Sequence, residues 1–261
     1  MVRSHRLTGP GATAWMSGLE LNERSINIKA MVSSKTPSNP DPVALAPEVV
    51  PTRQRILDAA EMLFAEHGFD GVSLRQITAL ADVELALANY HFGPKQALFV
   101  AVITRRADEL NALRLQRLQA LPAPPTVEGL IDAFARPFLE KSVGGGPGWK
   151  SYARLIAQTA NAARWTSAIM TAQFDPIAEV FIAGMAHALP RARHEDLYWG
   201  FHFLVGAMTM IFAETGRIDV LSKGLCRGDD LEATYARLVP FMAAGYRALA
   251  AASSTSQEAM Q

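Results

Sequence analysis

The stretch Ser73-Leu-Arg-Gln-Ile-Thr-Ala-Leu-Ala-Asp-Val-Glu-Leu-Ala-Leu-Ala-Asn-Tyr-His-Phe-Gly-Pro-Lys95 decides how the chain folds. Ser73 is a helix N-cap, because its hydroxyl can accept from a free N–H of the first turn. Leu74, Ile77, Leu80 and Ala81 then recur at helical spacing, which predicts a short amphipathic helix of about two turns. Ala81-Asp82-Val83 reads as a turn, with a small residue allowing close approach and Val83 plugging the crossing of two steeply inclined helices. A second helix follows from about Glu84 to Phe92. Its buried face should be Ala88 and Phe92, four apart, which leaves Leu85, Ala86, Leu87, Asn89, Tyr90 and His91 on or beside the outward face. This is a helix-turn-helix, and the outward face is the one expected to meet double-stranded DNA.

The flanking sequence extends the motif. Thr52 is placed to cap a helix with an apolar stripe of Ile56, Ala60, Leu63 and Phe64, a polar side of Arg53, Arg55, Asp58, Glu61 and Glu66, and an end at Gly68. After the second motif helix, Gly93 breaks the chain and Pro94 opens a fourth helix whose first turn holds Lys95. Three segments, Thr-Arg-Gln-Arg-Ile-Leu-Asp-Ala-Ala-Glu-Met-Leu-Phe-Ala-Glu-His-Gly-Phe (52–69), Ser-Leu-Arg-Gln-Ile (73–77) and Asn-Tyr-His-Phe-Gly-Pro-Lys-Gln-Ala-Leu (89–98), resemble in order and spacing the TetR family of one-component transcriptional regulators. Two departures stand out: Asp82 takes a turn position usually held by glycine, and Leu85 and Leu87 stand where polar residues are more common.

The resemblance implies roles for particular residues. Arg75 matches a position that reaches a base edge or phosphate, and a guanidinium suits the two acceptors of guanine. Leu85, Ala86 and Leu87 match the groove-facing start of the recognition helix, where apolar side chains touch thymine methyls. Asn89, Tyr90 and His91 match sugar and phosphate contacts or, for Asn89, adenine. Lys95 matches a phosphate clamp. It also implies a homodimer, since two recognition helices must enter successive major grooves about 34 Å apart to read an inverted repeat.

Composition sets limits on the rest. The 261 residues are 49% hydrophobic and 19% charged, with no formal net charge, so there is no global attraction to nucleic acid or membrane. The single cysteine, Cys226, excludes an intrachain disulfide and any multi-cysteine zinc site. No apolar run is long enough to span a bilayer and none forms a secretory signal, so a cytoplasmic protein without a membrane partner is expected. The six histidines lack metal-ligand spacing, and neither a nucleophile elbow nor a carboxylate pair appears. No enzyme, metal or cofactor is therefore expected.

Along the chain, residues 1–50 read as a disordered tail rich in proline and small polar residues, with translation expected to start naturally at Met31. The helix-turn-helix domain is assigned to 51–97, a helical ligand-binding and dimerisation domain to 98–252, and a second disordered tail to 253–261. The fold class is thus all-α. The helix opening at Pro94 continues to Leu121 as a link between domains, with Arg105, Arg106, Arg114 and Arg117 along it, and Pro122, Pro124 and Pro125 end it. Further helices are predicted over 127–141, 149–163, 166–189, 195–214 and 230–251, with Pro137, Pro176 and Pro240 kinking or splitting three of them. Of the last two, the run 198–212 is apolar nearly all round and carries Gly200, Gly206 and Ala207. The final helix adds the stripe Leu231, Tyr235, Leu238, Phe241, Met242, Tyr246 and Leu249, and together they resemble the family's four-helix dimer interface.

A pocket in the second half, lined by Phe134, Phe138, Trp149, Tyr152, Trp165, Met170, Phe174 and Phe203, would take a small, mostly apolar effector, with Arg136 or Arg154 receiving a carboxylate. Phe174-Asp-Pro, Ala186-His-Ala-Leu-Pro190 and the run from Leu197 to Ala207 are similar to fatty-acid-responsive TetR-type repressors, which implies an acyl chain or acyl thioester first and an aromatic or xenobiotic effector second. The expected activity is ligand-released repression at an operator. Activation, or ligand-independent DNA binding, is the alternative that a promoter reporter separates.

Overall fold

The structure, a computed structural model, describes residues 50–258 and one short antiparallel pair, β1 (Ser4–Arg6) and β2 (Glu20–Asn22), with His5 opposite Leu21. That pair departs from the expectation of a wholly irregular tail; the rest of 1–49, Met31 included, lies outside the described residues.

Helix α1 (Thr52–His67) has Pro51 at its N-cap, so Thr52 is the first helical residue and not the cap. Its buried face is Ile56, Leu57, Ala60 and Phe64. Glu61, assigned to the polar side, is instead only 2% exposed. The four-residue spacing of Leu57, Glu61 and Ala65 explains this: all three fall on one stripe, and partners from α4 make the carboxylate tolerable there. Helix α2 (Leu74–Leu80) starts at Ser73 with a full capping box, Ser73 Oγ accepting from Gln76 N at 3.3 Å and Ser73 N donating to Gln76 Oε1 at 2.8 Å. Ile77 and Ala81 are buried, while Leu80 is 46% exposed and not part of the core face. Helix α3 (Leu85–Phe92) anchors Ala88 in the core and ends at Gly93.

Helix α4 (Lys95–Gln119) is the spine. At about 1.5 Å per residue it runs on the order of 37 Å, burying Leu98 and Val102 near one end and Leu110 and Leu118 near the other. Helices α5 (Val127–Gly144) and α6 (Pro147–Ala160) follow, then a 3-10 turn (Ala163–Trp165), a π turn (Thr166–Thr171), α7 (Ala172–Ala188), α8 (His194–Phe212), the short α9 (Arg217–Leu221) and α10 (Leu231–Glu258). Three details differ from expectation. The segment over 166–189 opens with a π turn, the last helix continues past residue 252, and Pro137, Pro176 and Pro240 all sit inside helices that run on through them.

The core is continuous from the helix-turn-helix into the larger helical body. Phe64, Phe99 and Phe69 pack edge to face, and Trp165 stacks on Phe99 with ring centroids 4.5 Å apart. Arg117 reaches Glu140 and Arg247 reaches Glu128, tying α4 and α10 to α5.

Candidate nucleic-acid interface and effector core

The turn before α3 is held from α1. Asp82 takes a positive φ of 51°, a conformation favoured by glycine and tolerated by Asp. The Arg55 guanidinium donates to the Asp82 carbonyl at 2.6 Å and to its carboxylate at 3.1 Å. The departure from glycine is thus met by an aspartate that brings its own clamp.

So positioned, α3 turns Ala86, Leu87, Asn89 and Tyr90 to the surface, with Tyr90 83% exposed, while Leu85 and His91 are half-buried beside them. Asn89 Nδ2 donates back to the Leu85 carbonyl at 3.3 Å. Arg75, exposed near the start of α2, has a guanidinium with no partner among the described residues. The α3 face is therefore a mixed apolar and polar surface, and the preceding helix adds Arg75 as an exposed cation. Lys95 is placed differently. Its ammonium donates to the carbonyls of Phe69 at 2.9 Å and Val72 at 2.8 Å and lies 4.2 Å from the centre of the Phe69 ring, so it fastens the loop between α1 and α2.

Two further contacts join this unit to the helical body. Glu61 accepts from Arg105 at 2.7 Å and from Arg106 through two bonds of 2.8 Å. Burial opposes the Arg106 charge, but the hydrogen bonds and charge of Glu61 outweigh it and hold the guanidinium above its ordinary value. Arg164 forks onto Asp70 at 2.6 and 3.2 Å, and this hydrogen bonding draws the Asp70 carboxyl below its usual range. Next to this pair a small cleft of about 210 Å³ opens between the α1–α2 loop and α6, with Trp165 on its wall.

The residues expected to line one effector pocket are distributed over several places. Phe134 packs with Phe181 and Phe201, Phe138 with Phe212 and Tyr152, and Trp149 with Tyr152 and Arg106; Met170 and Phe174 are half-buried near the start of α7. Phe203 is on the surface, 53% exposed. The structure does not leave either proposed arginine waiting for a ligand. Arg136 is bonded to Asp132 at 2.8 Å, and Arg154 is half-exposed with Glu214 at 3.5 Å. A carboxylate one turn away in sequence is bonded to Arg136, and one across the fold stands near Arg154 and is shared with Lys150.

The buried arginine is Arg114. It is 4% exposed, with its guanidinium 4.1 Å over the Phe134 ring, Nε donating to the Phe134 carbonyl at 2.8 Å and Nη1 to Asn111 Oδ1 at 3.4 Å. Burial pushes it down to about 10, so it remains charged at neutral pH. Sequence reading placed it among the basic residues of the spine. The signal it missed is the spacing Leu110, Arg114, Leu118, which puts the arginine on the apolar stripe.

A wider open cleft of about 770 Å³ lies between the end of α8, α9 and the start of α10, where Met210, Leu221 and Leu225 meet Arg217 and Arg237. Among the described residues no group of His, Cys, Asp and Glu is placed to hold a metal, and no helix is long and apolar enough to cross a membrane.

Comparison with known proteins agrees with this architecture. The family described as "Bacterial regulatory proteins, tetR family" matches residues 56–102, and "Tetracyclin repressor-like, C-terminal domain" matches residues 132–245. The repressor AcnR of Corynebacterium efficiens is 37% identical over 60 residues, 23% of this chain and 32% of that protein. The regulator UidR of Escherichia coli is 39% identical over 66 residues, 25% of this chain and 33% of that one. The chain thus spans about a third of the length of these curated relatives. A TetR-like transcriptional regulator from a Rhodococcus species has the same fold, with a TM-score of 0.56 at 21% identity, covering 79% of this chain and 99% of that one. With a capped helix-turn-helix presented from a helical body, and both halves matching one family's descriptions, the chain belongs to the tetR family of bacterial regulatory proteins.

Proposed function

We propose that the protein is a sequence-specific DNA-binding repressor that acts as a homodimer on an inverted-repeat operator and is released by a small, mostly apolar effector. The observation that carries the reading is α3. Its Ala88 is locked in the core while Ala86, Leu87, Asn89 and Tyr90 face outward, with Arg75 unpaired beside them. A helix fixed on one side and chemically free on the other is what major-groove readout requires. Repression is favoured over activation by the repressor name of a relative matched through the same helix-turn-helix.

Dimerisation is supported by the outer face of α8 and α10. Trp199, Phe203 and Met210 on α8 and Phe241 on α10 are all more than half exposed, an unusual concentration of large apolar surface for a lone chain. Gly200 is filled from within, since a side-chain carbon there would overlap the Tyr246 ring, whereas Gly206 faces open space and would let a second copy approach.

Effector binding would shift a two-state equilibrium between DNA-competent and released heads, by no more than the effector's differential affinity for the two. Footprinting on genomic fragments at fixed salt tests the reading. The expected result is a protected inverted repeat with half-sites about one helical turn apart or a multiple of it. Uniform, sequence-independent protection, or none on any fragment with or without candidate effectors, would overturn it.

A further inference from the structure

Neither the fold nor the DNA-facing surface accounts for the charge of Arg114. A guanidinium taken out of water is normally matched by a carboxylate, yet Arg114, only 4% exposed, makes no ion pair among the described residues. Its bond to the Phe134 carbonyl needs no charge, since a neutral amide would serve equally. Tyr152 stands in the same core, and its hydroxyl is buried without a partner among the described residues. A charge without a counter-charge and a hydroxyl without a partner thus share this interior among the described residues. Glu61, the buried carboxylate of this region, is already occupied by Arg105 and Arg106.

We propose that Arg114 is the anion anchor of the effector site, and that the effector is an apolar molecule with a free carboxylate, which pairs with the Arg114 guanidinium and accepts from the Tyr152 hydroxyl. The inference rests on the ligand-responsive reading above and narrows its chemistry: a free acid fits, an ester or thioester of the same chain does not.

The surroundings show how such a ligand would be admitted and sensed. Asn111 accepts from Arg114 and donates through Nδ2 to the Gln173 carbonyl at 2.6 Å, just after the π turn Thr166–Thr171. π turns are uncommon and recur at functional sites. The half-buried Met170 and Phe174 pack against the core at and just after this turn. A carboxylate on Arg114 competes with Asn111 for the guanidinium and loosens the start of α7 from α4, whose other end begins at Lys95 beneath the helix-turn-helix.

The test is calorimetric titration of the full chain with hexanoate, decanoate, hexadecanoate and phenylbutyrate, each alongside its methyl ester. At least one acid should bind the parent more tightly than its ester. Arg114→Gln, which keeps a donor for the Phe134 carbonyl, should weaken that acid roughly ten- to hundredfold while leaving the ester unchanged. Should Arg114→Gln not fold, Arg114→Lys keeps the charge and should still prefer the acid. Equal binding of acid and ester by the parent, undiminished acid binding by Arg114→Gln, or no binding of any of the four acids at millimolar concentration overturns the assignment. Footprinting separates the two ideas: a protected operator without carboxylate binding overturns only this inference, and carboxylate binding without an operator overturns only the repressor reading.

Discussion

Arg75 and Lys95 are both cations beside the α3 face, and the structure uses them differently. Arg75 is exposed and unpaired, whereas Lys95 gives two hydrogen bonds to the loop that leads into α2. Arg75→Ala should leave thermal stability unchanged, weaken operator binding, and relax base preference by roughly 1–3 kcal/mol if the contact is bidentate. Lys95→Met should lower stability as well as affinity, by about 1–2 kcal/mol, because it strands two carbonyls that a charged donor satisfied. Melting and binding curves of the two variants at one salt concentration check both, and a Lys95→Met protein as stable as the parent would restore Lys95 to a pure phosphate clamp. Glu61 is the third decisive residue. Arg105 keeps Asp58 when Glu61 is removed, but Arg106 loses its carboxylate in a largely buried position, so Glu61→Ala should destabilise by about 2–4 kcal/mol in denaturant unfolding.

Among the elements, α2 and α3 are too short to be stable by propensity alone. They depend on tertiary anchors and caps: Ile77 and Ala88 in the core, the Ser73–Gln76 box, and the Arg55–Asp82 clamp across the turn. Ser73→Ala should therefore cost about 1 kcal/mol, read in equilibrium unfolding, and reduce operator affinity because α2 sets the angle of α3. An unchanged unfolding midpoint would show that the cap is redundant. The cap, the turn and the buried Ala88 were all legible in the sequence, because each is a local pattern of residue type and spacing. The fates of Leu80 and Glu61 were not, because a helical stripe gives the direction of a side chain but not what lies opposite it.

At the level of the whole molecule, the exposed apolar face of α8 and α10 is large for a chain that stays alone. Phe203→Glu and Phe241→Arg each place a charge on that face without touching the core. Sedimentation should show the parent as a dimer and each variant shifted to monomer, and operator affinity should fall with it because a single head reads one half-site. A parent that sediments as a monomer at micromolar concentration would remove the two-fold geometry from the proposal.

The family, the all-α class and the helix-turn-helix were determined by the sequence itself, because capping residues, helical periodicity and turn residues act over a few positions and leave their mark in order along the chain. The packing inside the helical body was decided only by the tertiary structure. Which aromatic rings meet, that Phe203 turns outward, that Arg136 and Arg154 find carboxylates and that Arg114 does not, are results of how α4 to α10 pack together. Burial and charge pairing between residues 20 to 100 positions apart depend on that packing, and no local spacing encodes it.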